Sequence, residues 1–114
     1  MLGDAYVDRA TNTQHSWSEA LQSFVNEFCW GFVWTRDGLP RQTRSLVNVA
    51  MLTALNRPEE LKLHVHGAIR NGCTEAELVE VVMQVAVYAG LPAALDAFRT
   101  LAAVLAENEN GQQS

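Results

Sequence analysis

The sequence predicts an all-α fold, a compact multi-helix bundle, on three observations. Apolar residues recur at three- and four-residue spacing through most of the chain, the period of a helix that buries one face. No segment sustains the apolar and polar alternation of a half-buried strand. Glycine and proline cut the 114 residues into helix-sized pieces. A chain of this length closes one hydrophobic core, so residues 1–114 are expected to form a single domain.

Residues 1–15 are polar and poorly periodic, and are expected to form an N-terminal arm. Ser16 or Ser18 can cap a first long helix with the stripe Leu21, Phe24, Val25, Phe28 and Phe32. Asp37-Gly38 is a turn signal that ends it. Pro40 suits the start of a second helix, from about Arg41 to Leu55, because a missing N–H costs nothing there. Its run Leu46–Leu52 is apolar on nearly every side, which predicts burial all round, in the core or against another subunit. Pro58 starts a third helix through Leu61, Val65, Ala68 and Ile69, and Asn71-Gly72 ends it with a left-handed cap. Thr74 and Glu77 have capping-box spacing and open a fourth helix, with the stripe Leu78, Val81, Val82, Val85 and Ala89. Gly90 closes it. Pro92 opens a fifth helix with Leu95, Phe98, Leu101, Ala102 and Leu105. The polar end, 108–114, is expected to fray. The second and fourth helices carry more apolar surface than one small monomer covers, which points to a homo-oligomer.

Eight Lys and Arg against thirteen Asp and Glu give a net charge of -5, the opposite of a nucleic-acid binder's footprint. No apolar run approaches the length of a membrane span, and residues 1–20 lack the layout of a signal peptide. The expected location is the cytoplasm, with no membrane partner. Cys29 and Cys73 stand far apart, without a CxxC or a Cys/His cluster. That argues against a disulfide framework and a metal site. Both are expected to be buried and inert.

Five groups of residues can carry chemistry. Arg57, Glu60 and His64 are spaced by three and four and share one helix face. His64 is either a helix histidine bonded to nearby backbone or a functional imidazole. His66 points elsewhere and is expected at the surface. Arg41 and Arg44 share a face; their guanidinium forks can hold a dianion, or pair with surface glutamates. Arg44 is the stronger candidate because it borders the apolar run. Trp30 and Trp34 form a ridge that is either a pocket wall or plain core. Gly31, mid-helix, costs about 1 kcal/mol against Ala, so a close helix approach or a bound ligand should account for it. Glu27, one turn earlier, is an acid/base group or a partner for an arginine.

The segments LGDAYVDRA at 2–10, WGFVWTRDGLPRQTRSL at 30–46, ALNRPEELKLHVHGAIRNGCT at 54–74 and VYAGLPAALDAF at 87–98 carry a resemblance. In this order they are similar to the carboxymuconolactone decarboxylase family, within the alkylhydroperoxidase D-like superfamily. The resemblance implies an all-helical, trimeric or hexameric protein that needs no cofactor. Redox members of the superfamily carry a CxxC before a helix histidine. Those two positions here are Arg57 and Glu60, so dithiol chemistry does not transfer, while His64 matches the histidine and is implied to be functional. Comparable chains carry a short leader before the position of Met1-Leu2-Gly3, and an Arg is expected where His66 stands.

The implied reaction is cofactor-free decarboxylation of 4-carboxymuconolactone to β-ketoadipate enol-lactone and CO2, in protocatechuate catabolism. The implied roles follow from that chemistry. Arg44, with Arg41 second, holds the acetate arm of the lactone. His64 stabilises charge on the lactone oxygen. His64, Glu60 or Glu27 delivers the proton. Trp30, Trp34 and Tyr88 wall the site. The alternatives are a relative acting on another lactone or keto acid, and a non-catalytic oligomer that binds small anions.

Overall fold

The computed structural model describes residues 16–113, and side-chain surroundings for 18–108. The expected arm at 1–15 lies outside the described residues. Helix α1 (Ser16–Phe24) continues without a break into a π-helical segment (Val25–Val33). After a turn come α2 (Arg41–Ala54), α3 (Pro58–Arg70), α4 (Glu75–Ala89) and α5 (Leu91–Gln113). Among the described residues every regular element is helical, as the apolar period predicts. Helix α5 runs through Gln113, so the segment expected to fray is helical up to that residue. No helix among the described residues is long and apolar enough to cross a membrane.

Local chemistry sets the boundaries. Pro40 lies in extended conformation just before α2, and Pro58 occupies the first turn of α3. Asn56, with φ 57°, ends α2: the Arg57 N–H donates to the Leu52 carbonyl at 3.0 Å across this left-handed residue. Gly72, with φ 92°, ends α3 in the same way, and the Cys73 N–H donates to the Ala68 carbonyl at 2.9 Å. The Thr74 and Glu77 capping box forms with both bonds, at 2.8 and 3.1 Å.

Helices α2 to α5 share one core. Val49 of α2, Leu61, Val65 and Ala68 of α3, Leu78 and Val82 of α4, and Ala94, Leu101 and Val104 of α5 are buried together. Each fully buried Leu or Val stabilises the fold by about 1.5–3 kcal/mol. Within this one chain neither α2 nor α4 is covered on every side. Helix α2 buries Ser45, Val49 and Thr53 and leaves Val47 and Met51 exposed; α4 buries Leu78, Val82 and Val85 and leaves Met83, Val87 and Tyr88 exposed. One chain supplies too few neighbours to cover both sides of either helix.

Helix α1 and the π segment stand largely apart from the four-helix core. Their apolar stripe, Leu21, Phe24, Phe28 and Phe32, is exposed. The sequence period predicts an α-helix here, but the second half widens to i→i+5 bonding, with the Trp34 N–H on the Cys29 carbonyl at 3.1 Å. Gly31 is explained within its own helix. A Cβ there would lie 3.0 Å from the Asn26 carbonyl, five residues back, so the wide turn itself favours glycine.

Candidate active site

Helices α2 and α3 run antiparallel, and three polar ties fix their register. Gln42 Nε2 donates to the Gly72 carbonyl at 3.0 Å. Asn71 Nδ2 donates to Ser45 Oγ at 3.0 Å. Asn48 Nδ2 lies 3.5 Å from His64 Nδ1. Gly72 is required twice, since its φ is positive and a Cβ would sit 2.6 Å from Gln42 Nε2.

This register lines up the main candidates along one flank of the α2–α3 pair. Glu60 and His64 sit one turn apart on α3, and Arg44 and Asn48 sit one turn apart on α2. Four residues of helix span about 6 Å, comparable to a small lactone dicarboxylate. His64 is half-buried. Burial pushes its pKa below the ordinary histidine value, while the nearby Glu60 carboxylate works in the opposite direction. The imidazole is therefore neutral at neutral pH. Arg44 is also half-buried, and its Nε is buried with no hydrogen-bond partner among the described residues. A guanidinium in that condition lacks one of its bonds.

The turn before α2 adds a recess of about 460 Å³, lined by Trp34, Arg36, Leu39, Pro40 and Arg41, among others. Arg44 lies near the same turn: a Cβ on Gly38 would meet the Arg44 Nη2 at 3.9 Å. Trp34 is buried, and Trp30 tilts against it with ring centroids 6.0 Å apart. The recess thus joins Arg41 and Trp34. Arg36, whose guanidinium lies 5.6 Å over the Phe32 ring, lines the same recess and was missed by the sequence reading. Asn48 was also missed, being the one polar residue inside an apolar run.

Two candidates lie elsewhere within this chain. Glu27 is exposed on the π segment. Tyr88 is 85% exposed and lines a separate apolar hollow of about 500 Å³ between α2 and α4, with Val47, Ala50, Met51 and Val85. His66, expected at the surface, is half-buried and pairs with Glu107 at 3.2 Å, beside the Lys62 and Glu107 pair at 3.1 Å. It ties α3 to α5 and does not join His64. Burial pushes both thiols, Cys29 and Cys73, above the usual cysteine value, and Cys73 Sγ lies 3.4 Å from the Gln42 carbonyl. Neither is an activated thiolate.

An all-helical chain with this histidine and no CxxC before it defines a class. The model of the carboxymuconolactone decarboxylase family matches residues 19–103, and the chain belongs to that family. It is 44% identical over 93 residues to a 4-carboxymuconolactone decarboxylase of Acinetobacter baylyi, covering 82% of this chain and 69% of that protein. It is 39% identical over 97 residues to a nitrosuccinic acid decarboxylase of Metarhizium robertsii, covering 85% and 68%. A 15.0 kDa uncharacterised protein of Paracoccus denitrificans is 33% identical over 86 residues, covering 73% and 63%.

Proposed function

We propose that this chain is a cofactor-free carboxy-lyase that converts 4-carboxymuconolactone to β-ketoadipate enol-lactone and CO2, in protocatechuate catabolism in the cytoplasm. The carrying observation is a half-buried Arg44 one turn from Asn48 on α2, with Asn48 in turn 3.5 Å from the half-buried His64 of α3. The 44% identity to a protein named for this reaction supports the substrate.

The chemistry asks little of the protein. The bond from the ring carbon to its carboxylate breaks and CO2 leaves. The electron pair moves through the adjacent C=C onto the lactone carbonyl oxygen, giving a furanolate-type dienolate. A proton then adds to the carbon α to that carbonyl. The substrate is its own electron sink.

Arg44 binds the acetate arm as a charge-assisted pair, with Arg41 at the mouth of the recess as the second cation. His64 donates a hydrogen bond to the oxygen on which charge develops, and such donors are worth most where water is thin. Glu60, exposed and one turn from His64, relays the proton from solvent to the α carbon. Trp34 gives the recess an apolar wall, with Trp30 packed against it. Glu27 and Tyr88 can join the site only from a neighbouring subunit.

The same reading includes a homo-oligomer, a trimer or hexamer. The exposed stripe of α1 and the α2–α4 hollow are apolar surfaces too extensive for a chain that stays alone. Light scattering at micromolar concentration should give a multiple of the 12.6 kDa chain; a monomer would refute assembly. For the activity, the test is loss of the lactone's ultraviolet absorbance with purified protein, chelator present and nothing added. Turnover is expected; an intact, folded protein with none would refute the reading.

A further inference from the structure

We propose that Asn48 is a positioning residue that fixes His64 as the Nε2–H tautomer and so aims its proton at the lactone oxygen. The inference rests on the donor role given to His64 above. The amide Nδ2 of Asn48 lies 3.5 Å from His64 Nδ1. With the amide in this orientation its nitrogen donates, Nδ1 presents its lone pair, and a neutral imidazole then carries its hydrogen on Nε2. The opposite edge of the ring becomes the donor edge. The contact is long, as hydrogen bonds in unliganded sites often are before substrate tightens them.

The placement of Asn48 supports a purpose. It interrupts the run Leu46-Val47-Asn48-Val49-Ala50-Met51-Leu52, where helix α2 otherwise offers only apolar side chains. It is half-buried, one turn from Arg44 on the same flank. An apolar residue there would leave the imidazole free to choose either tautomer or to rotate. A carboxylate would choose the other one, because it only accepts and so draws a hydrogen onto Nδ1.

The ring nitrogens of His64 report the outcome directly by two-dimensional 15N NMR at neutral pH, in wild type, Asn48→Leu and Asn48→Asp. Wild type should show a pyridine-type Nδ1 and a pyrrole-type Nε2. Asn48→Asp should exchange the two, and Asn48→Leu should give a mixture. With the lactone, kcat should fall on the order of tenfold or more in Asn48→Leu and further in Asn48→Asp, with KM nearly unchanged. A wild-type Nδ1–H tautomer, or an Asn48→Asp variant with unchanged tautomer and turnover, would overturn the inference. If the tautomers behave as described but His64→Ala retains full kcat, Asn48 still positions the ring, and the donor role of His64 is what fails.

Discussion

Helix α2 is flanked by two very different surfaces. On the side of α3 it presents Asn48 to His64, with Arg44 one turn away and its Nε without a hydrogen-bond partner among the described residues. On the side of α4 it presents Val47, Ala50 and Met51 to a hollow completed by Val85 and Tyr88, almost wholly apolar. Both flanks leave something unfinished, but of a different kind. The polar strip lacks a charged hydrogen-bonding partner, which is what a small anion supplies. The hollow lacks apolar cover, which is what another helix supplies. On the proposed reading this one fourteen-residue helix divides chemistry from assembly, with the buried stripe Ser45, Val49 and Thr53 between the two flanks.

Substitutions on the two flanks should separate cleanly. The largest effect belongs to His64→Ala, which should lower kcat on the order of a hundredfold, the usual cost of a lost oxyanion donor. Arg44→Ala should follow. A hydrogen-bonded charge pair contributes about 1.5–3 kcal/mol, so KM should rise roughly ten- to hundredfold. Arg44→Lys should recover only part, since an ammonium cannot make the planar fork. On the other flank, Val47→Glu with Tyr88→Glu should shift light scattering toward the single chain while circular dichroism stays helical. An unchanged assembly would show that the hollow is not an interface.

The pH dependence tests the polar flank again. Burial lowers the His64 pKa, so the unfolded chain takes up this proton at higher pH than the folded one. Stability and kcat/KM should both be intact above about 6.5, the free histidine value. Both should decline as pH falls below it. Glu60, one turn away on the same helix face, works against burial and tunes the midpoint. An acid limb above the ordinary histidine range would contradict a buried, neutral ring. The smallest effects are reserved for positions outside both surfaces' work. Cys29→Ser and Cys73→Ser should keep most turnover. Thr53→Val should stabilise by about 1 kcal/mol in denaturant unfolding, because the buried Thr53 hydroxyl has no partner among the described residues.

Helix ends were legible because each is a local device. Pro40, Pro58, Gly72, Gly90 and the Thr74–Glu77 pair act within a few residues of themselves. Arg44 and His64 were legible by type and by resemblance. The π segment was not, since an apolar-rich stretch from Val25 to Val33 fits a wider turn as well as the ordinary one. Gly31 was the available signal, but its reason, the Asn26 carbonyl, depends on the turn it permits. Asn48 and Arg36 were missed, and Tyr88 lies within this chain on the α2–α4 hollow. Those positions are set by the α2–α3 and α2–α4 pairings, which helical spacing alone does not encode.

The proposed active site turns on the division of labour between Arg44 and His64. Steady-state kinetics of His64→Ala and Arg44→Ala, measured side by side on 4-carboxymuconolactone, test it most directly. His64 acts on charge present only in the transition state, so His64→Ala should lose kcat with KM nearly unchanged. Arg44 holds the acetate arm before and during reaction, so Arg44→Ala should chiefly raise KM. If the two phenotypes are exchanged, or if both variants match the unsubstituted protein, the assignment of this flank as the active site is wrong.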